Sequence, residues 1–315
     1  MPGNVCALFA GQSVQEAGMG RELLKRPAAR AVIERLKPSL GADLEALLTT
    51  TPDAELAKTF NAQRAIHASH VAHWLAYAAS RPGLEDALMG AVGHSMGVVA
   101  ALVAAGALSV EDSGRFIAAR AKAFSDCCAA FAEPMGLAAA SSDDFQDVAD
   151  SVAEVPGVSV ALWNTAGKGT LGGTLAALEA YAAKARDEDW PVKVKVLRVE
   201  GPYHTAAFAP AQAPLRAALA GLEVKPPRVP VFMGTSGRAE TDPARIKELL
   251  VEQTTACERH LEAVRAAYAA GAREFVEVSF KPQPVTWLGD QLVGADGARL
   301  ADVAATAVTT DRLPA

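Results

Sequence analysis

The sequence predicts an α/β fold: a large domain on a mostly parallel sheet, with a smaller unit inserted into it. Three observations predict this. Short apolar runs of strand length alternate with helical stretches over most of the chain, which is the pattern of a sheet covered on both faces. Between residues 131 and 200 the order changes to β-α-β-β-α-β. After Gly201 the first alternation resumes.

Taken in order, Val5 to Ala10 is apolar and ends at Gly11, as a buried parallel strand would. Arg21–Leu36, Ala54–Phe60 and Gln63–Ala79 read as helices. Leu88–Val92 is a second short strand, followed by a Gly-rich turn and a helix of small residues, Val98–Ala107. Ser109 is placed to cap the next helix, with Glu111 and Asp112 in its first turn. Met135–Ala140, Val158–Asn164, Gly169–Gly173 and Val192–Val199 read as strands, with helices at Asp143–Ala153 and Leu175–Arg186. That order is the ferredoxin-like unit. Helices at Ala209–Leu219, Pro243–Leu250 and Cys257–Ala270 then alternate with strands at Val229–Met233 and Glu274–Val278, and Thr309–Ala315 reads as a loose tail. The expected division is therefore a large domain of residues 1–130 and 201–315 and a small one of residues 131–200.

With 315 residues, 50% of them hydrophobic, the chain can bury a large core. Its net charge of -6 argues against a nucleic-acid partner, which would call for a basic face. Met1–Asn4 shows no basic stretch followed by a long apolar run, so no secretory signal is expected. The longest apolar stretch, Val98–Leu108, is shorter than the roughly 20 residues that span a bilayer, so no membrane partner is expected. Cys6, Cys127, Cys128 and Cys257 lack metal-ligand spacing, and two are adjacent. The chain reads as reduced and cytoplasmic, with no metal or cofactor.

Gly93-His94-Ser95-Met96-Gly97 lies between a strand and a helix, which makes a nucleophile elbow of the α/β-hydrolase-like kind. Small residues at 93 and 97 allow the sharp turn that presents the Ser95 hydroxyl, and the following helix aims N–H groups at an oxyanion. Ser95 needs a base. His94 adjoins it and is better placed to support than to accept a proton; His260 lies within a predicted helix. His204, in Gly201-Pro202-Tyr203-His204-Thr205 directly after a strand, is the one placed to take the proton and return it. His67, His70 and His73 recur at spacings of three, but no carboxylate or thiol completes a metal set.

These residues give the chain a resemblance to the malonyl-CoA:acyl carrier protein transacylases of fatty acid and polyketide synthesis. Phe9-Ala10-Gly11-Gln12-Ser13-Val14-Gln15 resembles that family's Phe-Pro-Gly-Gln-Gly-Ser-Gln start, Ala62-Gln63 its Thr-Gln-Pro-Ala segment, and Gly93–Gly97 its Gly-His-Ser-x-Gly elbow. The resemblance implies roles position by position. Ser95 is acylated and His204 is general base and acid. Arg120 pairs with the carboxylate of a malonyl-type group. Gln12 and Met96 donate backbone N–H groups to the oxyanion, Gln63 lines the acyl pocket, and Tyr203 shapes it. The donor is then an acyl-CoA of malonyl-CoA type and the acceptor an acyl carrier protein, in the manner of a discrete or trans-acting polyketide acyltransferase.

The chain departs from that pattern at several points. Ala10 and Ser13-Val14 alter the first loop, Arg64 replaces proline, and Val98 replaces a glutamate after the elbow. Ala256 aligns where an asparagine carbonyl orients the histidine. The acceptor is expected to meet basic residues at the cleft mouth, such as Lys281. The competing reading is an acyl hydrolase that clears acyl groups from carrier proteins, although such an enzyme has no need of Arg120.

Overall fold

The computed structural model describes residues 3–197, 199–294 and 297–313. Among the described residues ten strands form two sheets: β1 (Val5–Phe9), β2 (Leu88–Gly93), β3 (Met135–Ser141), β4 (Val158–Thr165), β5 (Lys168–Thr174), β6 (Lys193–Val196), β7 (Val231–Met233), β8 (Arg238–Glu240), β9 (Glu274–Val278) and β10 (Ala304–Val308). The larger sheet runs β10-β9-β1-β2-β7-β8 and is parallel except for β8, which turns back antiparallel on β7. Every residue of β1 is buried, as expected of a central strand covered on both faces.

The smaller sheet runs β4-β5-β3-β6 with all its pairs antiparallel, the strand order of a ferredoxin-like unit. Helices Phe145–Ser151 and Leu175–Asp187 cover one face of it. There Ala138, Ala140 and Leu171 pack with Phe145, Leu178 and Tyr181. The other face looks into the cleft. Glu258, between two helices of the large domain, ties to β4: its N–H donates to Ala161 O (2.9 Å) and Trp163 N–H donates to Glu258 O (2.8 Å).

Three expectations are corrected. β8, β10 and the helix Pro284–Gln291 were not anticipated, because each is short and lacks clear periodicity. The helix expected from Cys257 begins at His260, since residue 258 pairs with Leu162 of β4 and is held out of helical geometry. The C-terminal residues through Leu313 are not a loose tail. Thr310 is buried and its hydroxyl meets His73 Nε2 at 2.7 Å. Pro314 and Ala315 lie outside the described residues, as does Arg198 in the strand expected over Val192–Val199.

The helix Thr59–Ser80 runs through the large core with polar and apolar residues buried alike. His67 reaches Ser113 Oγ (2.9 Å) and His70 packs edge-on against Phe9. Burial pushes all three of its imidazoles well below the usual histidine range, so they pack as neutral groups. Arg64, also buried, is held by Leu40 O (2.7 Å) and by Asp43 (2.9 Å), and its guanidinium lies over the Phe60 ring. A charged residue at that position is thus fully partnered. Among the described residues no helix is long and apolar enough to cross a membrane.

Candidate active site

The elbow is built by close backbone approach. A Cβ at Gly93 would lie 2.0 Å from Val98 N, and one at Gly97 would lie 2.5 Å from Phe9 O and Ala10 O. Glycine at both positions lets the turn close, and Ser95 adopts φ 51°, a left-handed conformation that costs a non-glycine residue energy and recurs at functional turns. The helix Gly97–Ala104 starts directly behind it.

His204 lies against Ser95. Its Nε2 is 2.7 Å from Ser95 Oγ, and Nδ1–H donates to the Gln253 carbonyl at 2.8 Å. A carbonyl only accepts, so the proton sits on Nδ1 and Nε2 is left to accept the serine proton. His204 also has a positive φ, 62°. Burial and the nearby Arg120 and His94 push its imidazole down to about 3, so it is a neutral base at physiological pH. The orienting carbonyl thus belongs to Gln253 and not to Ala256. Gln253 directly follows the helix Pro243–Glu252, and its carbonyl is the one that meets His204 Nδ1.

Arg120 is buried at 2% exposure. Nη1 donates to Gln63 Oε1 (2.8 Å) and Nη2 to Gln253 Oε1 (3.2 Å), and the guanidinium lies 4.1 Å above the Phe124 ring. Burial lowers it to about 10, which still leaves it cationic near neutrality. Phe124 stacks in turn on Tyr203, whose hydroxyl bonds that of Thr59. Gln63 and Arg120 are therefore in direct contact.

A cleft of about 690 Å³ opens over Ser95 between the two sheets. Its lining includes Gln12, Ser95, Tyr203, His204, Asn164 and Trp287, while Met96, Gln63 and Arg120 are buried outside that lining. Lys168, Lys193 and Lys195 reach the cleft from the small sheet; Lys281 does not, and lies 3.6 Å from Glu16. His94 donates through Nε2 to Asn164 Oδ1 (2.9 Å) and packs edge-on against His260 and Trp287, so it supports the turn from the side away from His204.

Sequence reasoning missed Gln253 and Glu258. Gln253 Nε2 donates to Ser95 O (3.1 Å) and to Glu258 Oε2 (3.3 Å), and Ser95 N–H donates to Glu258 Oε1 (3.1 Å). The only signal was an acidic residue beside His260 in a segment read as helix, where it would have faced water.

Ser13 stands where the resemblance expects glycine, and its φ is 98°. Ser13→Gly is expected to raise stability by about 1 kcal/mol by relieving that strain. A thermal unfolding scan showing an unchanged or lower midpoint would contradict it.

The family model described as "Acyl transferase domain" matches residues 7–308. The malonyl CoA-acyl carrier protein transacylase of Bacillus subtilis is 30% identical over 277 residues, 87% of this chain and 86% of that protein. The polyketide biosynthesis protein ThaF of Burkholderia thailandensis is 30% identical over 273 residues, 86% of this chain and 23% of that much longer protein. The crystal structure of MCAT from Mycobacterium tuberculosis superposes with a TM-score of 0.86 at 27% identity, covering 98% of both chains. With a family model spanning nearly the full length and a fold shared with an enzyme of that kind, the chain belongs to the acyl transferase domain family.

Proposed function

We propose that this protein moves a malonyl-type acyl group from coenzyme A to the phosphopantetheine thiol of an acyl carrier protein, through an ester on Ser95. The observation that carries the reading is the 2.7 Å contact between Ser95 Oγ and a neutral, carbonyl-oriented His204, with the buried cation of Arg120 close by. Relatives named as transacylases support transfer over the competing hydrolase reading.

In the first half-reaction His204 Nε2 takes the Ser95 proton as Oγ attacks the thioester carbonyl. The resulting oxyanion is met by the N–H of Met96, at the start of the helix, and that of Gln12. Collapse expels the coenzyme A thiolate, which takes the proton from His204. In the second half the carrier's thiol gives its proton to His204 and attacks the ester, and Ser95 is regenerated.

Arg120 selects a carboxylated acyl group. Its present partners, Gln63 and Gln253, are neutral amides, and a carboxylate forms the stronger, bidentate pair. Tyr203, braced by Phe124 and Thr59, bounds the acyl end of the cleft. The four free thiols and the acidic charge balance support a cytoplasmic setting.

Intact-protein mass spectrometry after exposure to malonyl-CoA tests the reading. The wild type is expected to gain one malonyl group and Ser95→Ala none. Equal labelling of both proteins would sink it.

A further inference from the structure

Glu258 is fully buried directly beneath the elbow and has no part in the steps above. Its carboxylate accepts from the Ser95 N–H and from Gln253 Nε2, and the Gln253 amide oxygen accepts from Arg120. One side-chain amide therefore links an anionic group to the cation expected to bind substrate. The pocket is shaped for this carboxylate: a Cβ on Gly234 would lie 1.9 Å from Glu258 Oε1.

We infer that Glu258 is a positioning residue that competes with the substrate's carboxylate for Arg120, so that loading a malonyl-type group is coupled to uptake of one proton by Glu258. This rests on the functional reading above. In the empty site, Arg120 and Glu258 act on each other across the Gln253 amide. A bound acyl carboxylate pairs with Arg120 directly and leaves Glu258 as a second anion sharing one cation in a low-dielectric site. Two such carboxylates do not both stay ionised without large cost. The proton comes from solvent and adds to a Glu258 carboxylate oxygen. It also removes a negative charge from beside Ser95, where the oxyanion develops.

The surroundings leave Glu258 as the group that responds. Burial raises it to about 7 against the opposing pull of Ser95 N–H, Gln253 and Arg120. His94 and His204 are held low and neutral, His260 lies well below the usual range, and Cys257 is pushed up to about 12. Arg120 remains cationic, and Arg259 turns outward to Glu262 (2.6 Å).

The sign follows directly. Below the pKa of Glu258 the proton is already in place, and above it substrate must draw one in. The KM for malonyl-CoA is therefore expected to rise about tenfold from pH 6 to pH 8 at full coupling. Glu258→Gln, permanently neutral, is expected to show a flat, low KM over that range. Calorimetric titration of malonyl-CoA into Ser95→Ala, in two buffers of different ionisation enthalpy, reads the proton directly. Acetyl-CoA carries the same phosphates and is the reference. About half a proton per site should be taken up at pH 7 beyond that reference.

A wild-type KM flat with pH, no excess proton uptake, or a Glu258→Gln variant that keeps the wild-type slope would each overturn the inference. If Glu258→Gln does not fold, the calorimetry decides alone. Failure of Ser95 to load malonyl at any pH overturns the functional reading itself. Normal loading with a pH-independent KM overturns only the role of Glu258.

Discussion

His204→Ala is expected to slow acylation of Ser95 by about 10³-fold, within the range usual for loss of a general base. Ser95 Oγ would then lose the Nε2 acceptor 2.7 Å away, and its hydroxyl is a weak nucleophile with its proton in place. Because His204 holds a positive φ, His204→Asn is a useful second variant, since asparagine tolerates that backbone better than alanine. Stopped-flow measurement of thiol release from malonyl-CoA checks both. Acylation within tenfold of wild type in both variants would remove His204 from the mechanism. The wild-type rate is also expected to lack the rise near pH 6.5 that an ordinary histidine gives. Burial holds His204 near 3, so it is already deprotonated at every pH above about 5.

Arg120→Ala should change what the enzyme accepts. Loss of a buried charge pair costs 2–5 kcal/mol or more, so kcat/KM for malonyl-CoA is expected to fall by about 10²- to 10³-fold. Acetyl-CoA, which offers no carboxylate, should be affected far less, and the malonyl-to-acetyl ratio should collapse. The same substitution strips Glu258 of its cation and is expected to destabilise the fold by about 3 kcal/mol. Competition between the two thioesters checks the first effect and denaturant unfolding the second. An unchanged ratio would mean that the substrate carboxylate is read elsewhere.

The parts of the site legible in the sequence are those whose chemistry depends on local backbone. Gly93-His94-Ser95-Met96-Gly97 between a strand and a helix announces a serine presented on a tight turn, because glycine at both flanks is a local steric requirement. His204 was legible from its place after a strand. The strands β1, β2 and β9 were legible because apolar runs of that length, bounded by glycine or by charge, suit a buried parallel sheet. β8, β10 and the helix Pro284–Gln291 carry no such signature. They form because neighbours supply the missing hydrogen bonds and apolar cover.

Gln253 and Glu258 show the opposite case. Each acts through a partner far away in the chain: Gln253 through Arg120, His204 and Ser95, and Glu258 through Ser95 and β4. Read locally, Glu258 belongs to a helix's wet first turn. Its backbone pairing with β4 instead holds residue 258 in an extended bridge and turns the carboxylate inward.

The sequence by itself determined the α/β class and brought out Ser95 and His204 as candidates, each within a few consecutive residues, and Arg120 through motif resemblance. Only the tertiary structure decided which carbonyl orients His204, which amides hold Arg120, and that Gln253 links Arg120 to a buried Glu258. Hydrogen bonds of that kind join residues 49 to 163 positions apart, and their distances exist only once the chain has folded around the cleft.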